Sequence, residues 1–428
     1  MLYGTALQLL LPVLLARQWW RGRQLPEFRA HWRERLGRYA QPALPAVSAA
    51  AGASPQRIWV HAVSLGETQA SLPLLRALQA RWPHAELVLS HMTPTGRAAG
   101  AGFGLAGLHQ AYLPYDAPGA MARFLDHFRP QLGLLMETEV WPGLVGAAQA
   151  RGCPLVLVNA RLSARSLRGY RRLGGFARAV FAGLAACCAQ TEADAQRLRE
   201  LGAGPVAVCG NLKFDMGMPA GEDALAAQFR AWWGERPVWL AASTREGEEA
   251  LLLDAVARLD ARSLLLLVPR HPQRFEDVAA LVQARGLPLA RRSASQAVAP
   301  PCRVVLGDSL GELGAYYRSA ALAFVGGSLL PLGGQNLLEA CVRGCPVLLG
   351  PHTFNFADAA AQAVDCGAAL RVADSEGLAQ AVSALLADAP RRARMGEAGR
   401  AFVARHRGAT ARSLAVIEAV WARSARPL

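Results

Sequence analysis

Two stretches of this chain open in the same way, and that repetition constrains the fold more than any other feature. Ile58-Trp-Val-His-Ala-Val-Ser-Leu-Gly-Glu67 and Val238-Trp-Leu-Ala-Ala-Ser-Thr-Arg-Glu-Gly-Glu248 each run an apolar segment into a serine-containing turn and an acidic helix start. After each, short apolar segments alternate with helical patterns. In the first half they fall at 86–90, 132–137, 155–159, 185–190 and 206–210, and in the second at 263–268, 304–307, 321–326 and 346–349. Such alternation predicts an α/β chain of parallel, doubly wound sheets with crossover helices. At 428 residues the chain exceeds one ordinary core. Two domains are therefore expected, facing a central cleft formed at the carboxyl ends of their strands, the usual ligand position in open α/β sheets. The expected divisions are an N-terminal helix over 1–23, a first domain over 24–210 and a linker over 211–230. A second domain follows over 231–405, then a terminal helix over 406–428 able to cross back to the first domain. The Ala/Pro/Ser-rich stretch 45–55 reads as a surface loop.

The first 16 residues are almost wholly apolar, and Arg17, Trp19, Trp20, Arg21 and Arg23 follow them. A membrane-spanning helix needs about 20 apolar residues. No small-residue cleavage site follows, which argues against a secretory signal. Tryptophans beside arginines suit headgroup depth on the cytoplasmic side. The segment is expected to be a membrane anchor or an interfacial helix; a greasy first helix packed on its own domain is the alternative.

The net charge is +14 and the pI about 10.2, which calls for anionic partners. Of the 46 basic residues one is lysine, Lys213. The basic residues are dispersed through a patterned chain and no nucleic-acid-binding module accompanies them, so no nucleic-acid partner is expected. The eight cysteines show no zinc-like spacing with histidine and read as reduced, buried small hydrophobes.

Chemistry is expected where strands end. Glu67, behind the tight turn Ser64-Leu-Gly66, is either a first-turn acid favoured by the helix dipole or a general base. Glu137 and Glu139 stand two apart in an extended segment and should point to opposite faces; one lines the site and the other caps or pairs. Arg161, Arg165, Arg168, Arg171 and Arg172 follow the strand ending at Asn159, either to hold acceptor phosphates or as a solvated basic helix. Lys213, at the domain junction, is a compact ammonium in an arginine-rich chain; it is either required there or a chance survivor. Arg270 and His271, bracketed by Pro269 and Pro272, can present charge to a diphosphate or phosphodiester. Phe324-Val-Gly-Gly-Ser328 and Gly333-Gly-Gln-Asn336-Leu-Leu-Glu339 let backbone approach a ligand. The second glycine pair precedes a helix whose N–H groups can bind phosphate, and Asn336 and Glu339 share a face of it. The spacing is not that of the dinucleotide fingerprint.

At these residues the chain resembles the 3-deoxy-D-manno-octulosonic acid (Kdo) transferases of lipopolysaccharide synthesis. The resemblance rests on an ordered set, HAVSLGE, ETEVWP, NARLS, GNLKFD, VPRHPQRF, FVGGS and GGQNLLEA, with the apolar N-terminus. It implies the GT-B fold of two Rossmann-like domains, a CMP-Kdo donor, no metal or cofactor, and inversion at the anomeric carbon. The implied acceptor is a lipid A precursor at the cytoplasmic face of the bacterial inner membrane, whose anionic surface is a further partner. Glu67 matches the family's catalytic base. Arg270, His271, Gly326, Gly327, Ser328, Gly334, Asn336, Glu339, Lys213 and Ser243 are the implied donor-binding residues, and Glu137, Arg161 and Arg165 the acceptor-binding ones. Ala340 departs from the family's usual proline. A GT-B transferase using a UDP-sugar is the alternative reading.

Overall fold

The computed structural model describes residues 2–23, 26–45, 55–217 and 221–424. Most of the expected surface loop (46–54), part of the expected linker (218–220) and the chain's last four residues lie outside the described residues. The chain divides into two units, Met1–Met216 with Arg407–Leu428, and Gly217–His406.

The first unit carries β1 (Arg57–His61), β2 (Glu86–His91), β3 (Leu108–Tyr112), β4 (Leu132–Met136), β5 (Leu155–Ala160), β6 (Ala186–Ala189) and β7 (Val206–Val208). They form one sheet in the order β3-β2-β1-β4-β5-β6-β7, with every pairing parallel. The second carries β8 (Val238–Thr244), β9 (Leu264–Pro269), β10 (Leu289–Arg291), β11 (Val304–Leu306), β12 (Leu322–Val325), β13 (Val347–Leu349) and β14 (Ala369–Arg371). Its parallel order is β10-β11-β9-β8-β12-β13-β14. In each sheet the chain reverses its winding beside the first strand, between β1 and β4 and between β8 and β12. Loops diverge at such a point and leave room for a ligand.

Both faces of each sheet are covered, which is why the strands read as unbroken apolar runs. In β1, Trp59 enters the core on one face while Ile58 and Val60 enter the core on the other. The C-terminal helix Ala409–Ser424 supplies Ile417, Val420 and Trp421 to that second core, so the chain ends on the unit where it began. Asp215 fixes the return, accepting the Gly408 N–H at 2.7 Å and the Thr410 N–H at 2.6 Å at the start of this helix.

The expected linker is structured where it is described. Leu212–Asp215 is a 3-10 turn capped by Asn211, and Glu222–Trp233 is a helix that buries Phe229 and Trp233. At the N-terminus, α1 spans Leu2–Arg21 and packs on the first unit. Tyr3 donates to Asp116 at 2.8 Å, and Gln18 accepts from Tyr115 at 2.9 Å. Next in sequence, Glu34 is buried and accepts from Arg97 and from the Tyr112 N–H, both at 2.7 Å.

Candidate functional site

Ser64 is the N-cap of α2 (Leu65–Arg81), and the Ser-x-x-Glu spacing lets Glu67 reach back across the cap to Val63, one residue beyond the usual capping-box partner. The Glu67 N–H donates to Ser64 Oγ at 3.3 Å, and that hydroxyl donates to Glu67 Oε1 at 3.1 Å. Oε2 accepts the Val63 N–H at 2.9 Å. The carboxylate is thus oriented at both oxygens while its side chain stays only partly buried. Its pKa is raised to about 7, first by burial and then by the charge of Glu137, with Glu139 adding a smaller push. Hydrogen bonds from Val63 and Ser64 oppose the rise without cancelling it. A carboxylate poised near neutrality suits proton abstraction.

The charges of Glu137 and Glu139 both raise the pKa of Glu67, and the segment that carries them is a turn, so the expectation of opposite faces on an extended chain loses its premise. Glu137 has φ 55°, and this left-handed residue turns the chain out of strand geometry just past β4. Glu137 accepts from Lys213 Nζ at 3.1 Å and from Asn159 Nδ2 at 3.4 Å. Asn159 is itself at φ 55°, buried, and accepts the Leu212 N–H at 3.0 Å. Glu139 accepts from Trp141 Nε1 at 2.9 Å, and burial raises its pKa. Lys213, expected at the donor, is in this structure the partner of Glu137 in the first unit. Its ammonium reaches one Glu137 oxygen from the turn that Asn211 caps. Arg161 lines a small recess with Glu137, Ser166 and Tyr170, and Arg165 lies exposed on the helix Ala164–Arg172.

In the second unit the glycine loop after β12 differs from the expectation. The N–H groups of Gly327, Ser328 and Leu329 all donate to Glu248, at 2.5, 2.9 and 3.0 Å. The Arg245 N–H makes a fourth such bond at 3.0 Å. Ser328 is fully buried, donates to the Val325 carbonyl at 2.5 Å and accepts the Gly350 N–H at 2.9 Å. The N–H groups of Gly327 and Ser328, two of the residues expected at the donor, are thus taken by the protein's own carboxylate. Gly326 is required by packing: a Cβ there would lie 2.5 Å from the Ser243 carbonyl oxygen. Ser243 itself is buried at φ 55°. The Gly334 N–H is likewise used, donating to the Gly327 carbonyl at 2.6 Å.

The helix after the second glycine pair is short, Leu338–Val342, and Asn336 precedes it. Asn336 Oδ1 accepts the Leu338 N–H at 3.2 Å while its Nδ2 donates to Glu339 Oε1 at 3.1 Å. Asn336 therefore closes a local turn onto Leu338 and orients Glu339 through one of its carboxylate oxygens. Burial raises the pKa of Glu339, and the charges of Arg343 and Arg270 hold it back. Arg270 and His271 follow β9, with the Arg270 N–H donating to the Thr244 carbonyl at 3.0 Å. Burial and the surrounding charges of Arg245, Arg270 and Arg274 lower the pKa of His271. Arg274 is committed to the buried Glu249 at 2.6 Å. Arg245 belongs to this cationic group and was not singled out by sequence, although it stands in the Ser-Thr-Arg turn that repeats the opening of the chain. Among the described residues no group of His, Cys, Asp and Glu could hold a metal ion.

The family described as 3-deoxy-D-manno-octulosonic-acid transferase (kdotransferase) matches residues 30–216, and that described as glycosyl transferases group 1 matches residues 289–402. A 3-deoxy-D-manno-octulosonic acid transferase of Bordetella pertussis is 48% identical over 97% of this chain and 98% of its own. One from Haemophilus influenzae is 37% identical over 92% of each. In fold, the chain is similar to UDP-GlcNAc 2-epimerase of Neisseria meningitidis bound to UDP-GlcNAc. That match has a TM-score of 0.58 at 14% identity and covers 84% of this chain and 99% of that one.

Proposed function

The chain belongs to the 3-deoxy-D-manno-octulosonic acid transferase family, with two GT-B-like α/β units, and from that premise we propose how its residues divide the reaction. The donor is CMP-Kdo and the acceptor a hydroxyl of a lipid A precursor. Glu67 takes the proton of that hydroxyl as its oxygen attacks the anomeric carbon, and the bond to the CMP phosphate breaks with inversion. The observation that carries this reading is Glu67 itself, held at both oxygens, partly accessible and raised to about 7. Glu137 and Lys213 support it as a fixed pair beside the base. On the second unit, Glu339 accepts ribose hydroxyls, and Arg270 with Arg245 balances the negative charge of departing CMP.

No metal is assigned a step. Turnover should persist with excess EDTA, and loss restored by a divalent cation would overturn that part. Glu67→Gln, assayed with CMP-Kdo and tetraacylated lipid A precursor, tests the base directly. CMP should inhibit and UDP should not; the reverse would favour a UDP-sugar donor.

We also place the protein on the cytoplasmic face of the inner membrane. No helix among the described residues is long and apolar enough to cross a membrane. Supporting an interfacial position, α1 exposes Leu9, Val13, Trp19 and Trp20. Tyr3 meets Phe176 at 6.1 Å, extending this apolar surface to the exposed Leu173 and Phe176 beside the arginines of 165–172. Such arginines gain about 1 kcal/mol each near an anionic surface. Deleting residues 2–21 should release the protein from anionic vesicles in flotation; retained flotation would place the attachment elsewhere.

A further inference from the structure

Beneath the last turn of α1 lies a cavity of about 500 Å³ whose described lining residues fall between 15 and 32. Leu15, Trp19, Trp20, Phe28 and Trp32 make its walls, and Arg23 and Arg29 are its charged groups. Its framework is fixed by hydrogen bonds. Gln18 donates to the Phe28 carbonyl at 2.7 Å and accepts from Tyr115 at 2.9 Å. Arg29 donates to the Trp19 carbonyl at 3.2 and 3.3 Å and lies over the Trp19 ring at 4.7 Å. These bonds use the polar atoms of Gln18 and turn the Arg29 stem along the wall, leaving the interior apolar. Trp19 and Trp20 remain 56% and 65% exposed, so the cavity offers apolar area whose burial is worth about 25 cal/mol per Å². Among the described residues no carboxylate lines it, and the exposed Arg23 stands at its edge.

An apolar interior with cationic groups and no anion complements an amphiphile that has a hydrocarbon chain and a negative head. We propose that this cavity holds one acyl chain of an anionic phospholipid, drawn from the membrane surface on which α1 lies, and the proposal rests on that interfacial reading. None of Glu67, Glu137, Glu139 or Lys213 lines it, so it is distinct from the group that activates the acceptor. The arginines hold the headgroup phosphate while the tryptophans cover the chain, which fixes the helix at a set depth.

The test needs no bilayer. Full-length protein is titrated calorimetrically with dioctanoyl phosphatidylglycerol below its micelle-forming concentration, and vesicle flotation is run separately. Saturable binding of one molecule per chain is expected, weakened at least tenfold by Ala16→Trp, which fills the space. Arg23→Glu, at an exposed position that does not threaten folding, should weaken it several-fold. Four results would overturn the proposal: no saturable binding, equal affinity for dioctanoyl phosphatidylcholine, affinity unchanged in both variants, or saturation by the lipid A precursor alone. Saturable binding without flotation would support the cavity while removing the interfacial reading of α1.

Discussion

The loops after β1 and β8 begin alike in sequence and end as opposites. Both put a glutamate at the start of a helix beside the point where the sheet reverses its winding. Glu248 is fully buried and receives four backbone N–H groups, so its charge is spent on tying the β8 and β12 loops together. Glu67 receives one backbone N–H and one hydroxyl, stays partly accessible, and feels the charge of two further carboxylates. A carboxylate saturated by donors becomes structure. Burial raises the pKa of both, but at Glu248 four N–H donors oppose the rise, whereas at Glu67 like charge adds to it. The number of donors, not the position at a strand's end, separates the two roles.

The widest gap between these loops should appear in catalysis. Glu67→Gln is expected to lower turnover by about 10²- to 10⁴-fold with little change in donor affinity. Its melting temperature should be unchanged or higher above pH 7, because the amide removes a carboxylate whose ionised form the fold disfavours. Glu248→Ala should do the reverse, leaving three buried N–H groups and one partly buried one without a partner. A loss of at least about 3 kcal/mol in urea unfolding is expected, since each orphaned group costs about 1–3 kcal/mol. If Glu67→Gln unfolded the protein and Glu248→Ala left it stable, the division would collapse.

The comparison also explains what could be read from sequence. The central strands were legible because both faces are covered and their residues run apolar without a break. β3, β10 and β14 were not, and all three are edge strands with partly exposed residues. The motif order singled out Glu67, Glu137, Arg270 and Glu339 as candidates. It could not show that Glu248 fills the glycine loop, because that bond joins residues 79 to 81 positions apart. Nor could a period-2 reading foresee Glu137, Asn159 and Ser243 at positive φ. Strained backbone of this kind gathers at strand ends where side chains must be re-aimed.

Glu339 offers a middle-sized test within the second unit. Only one of its oxygens is taken by Asn336, so it resembles Glu67 in being short of donors. Glu339→Ala should weaken CMP binding about tenfold, the loss of a charge-assisted hydrogen bond of about 1.5 kcal/mol or more. Unaltered affinity in calorimetry would remove the ribose role and leave Glu339 a local cap.

The smallest effect is the most diagnostic, because it measures the pressure on Glu67 rather than its presence. The base must be ionised to act, so turnover should fall with unit slope as pH drops below about 7. Glu137 is the larger of the two carboxylate contributions to that value and Glu139 the smaller. Removing a nearby negative charge favours the ionised form, so Glu137→Gln should move the acidic limb to lower pH, and Glu139→Gln should move it less. Freeing Lys213 from Glu137 adds positive charge nearby and acts in the same direction. Added salt should shrink the difference between variants by screening what reaches Glu67 through solvent. A limb that stays in place in both variants, or rises, would mean that neighbouring charge does not set the proton affinity of this site, and the contrast with Glu248 would then rest on burial alone.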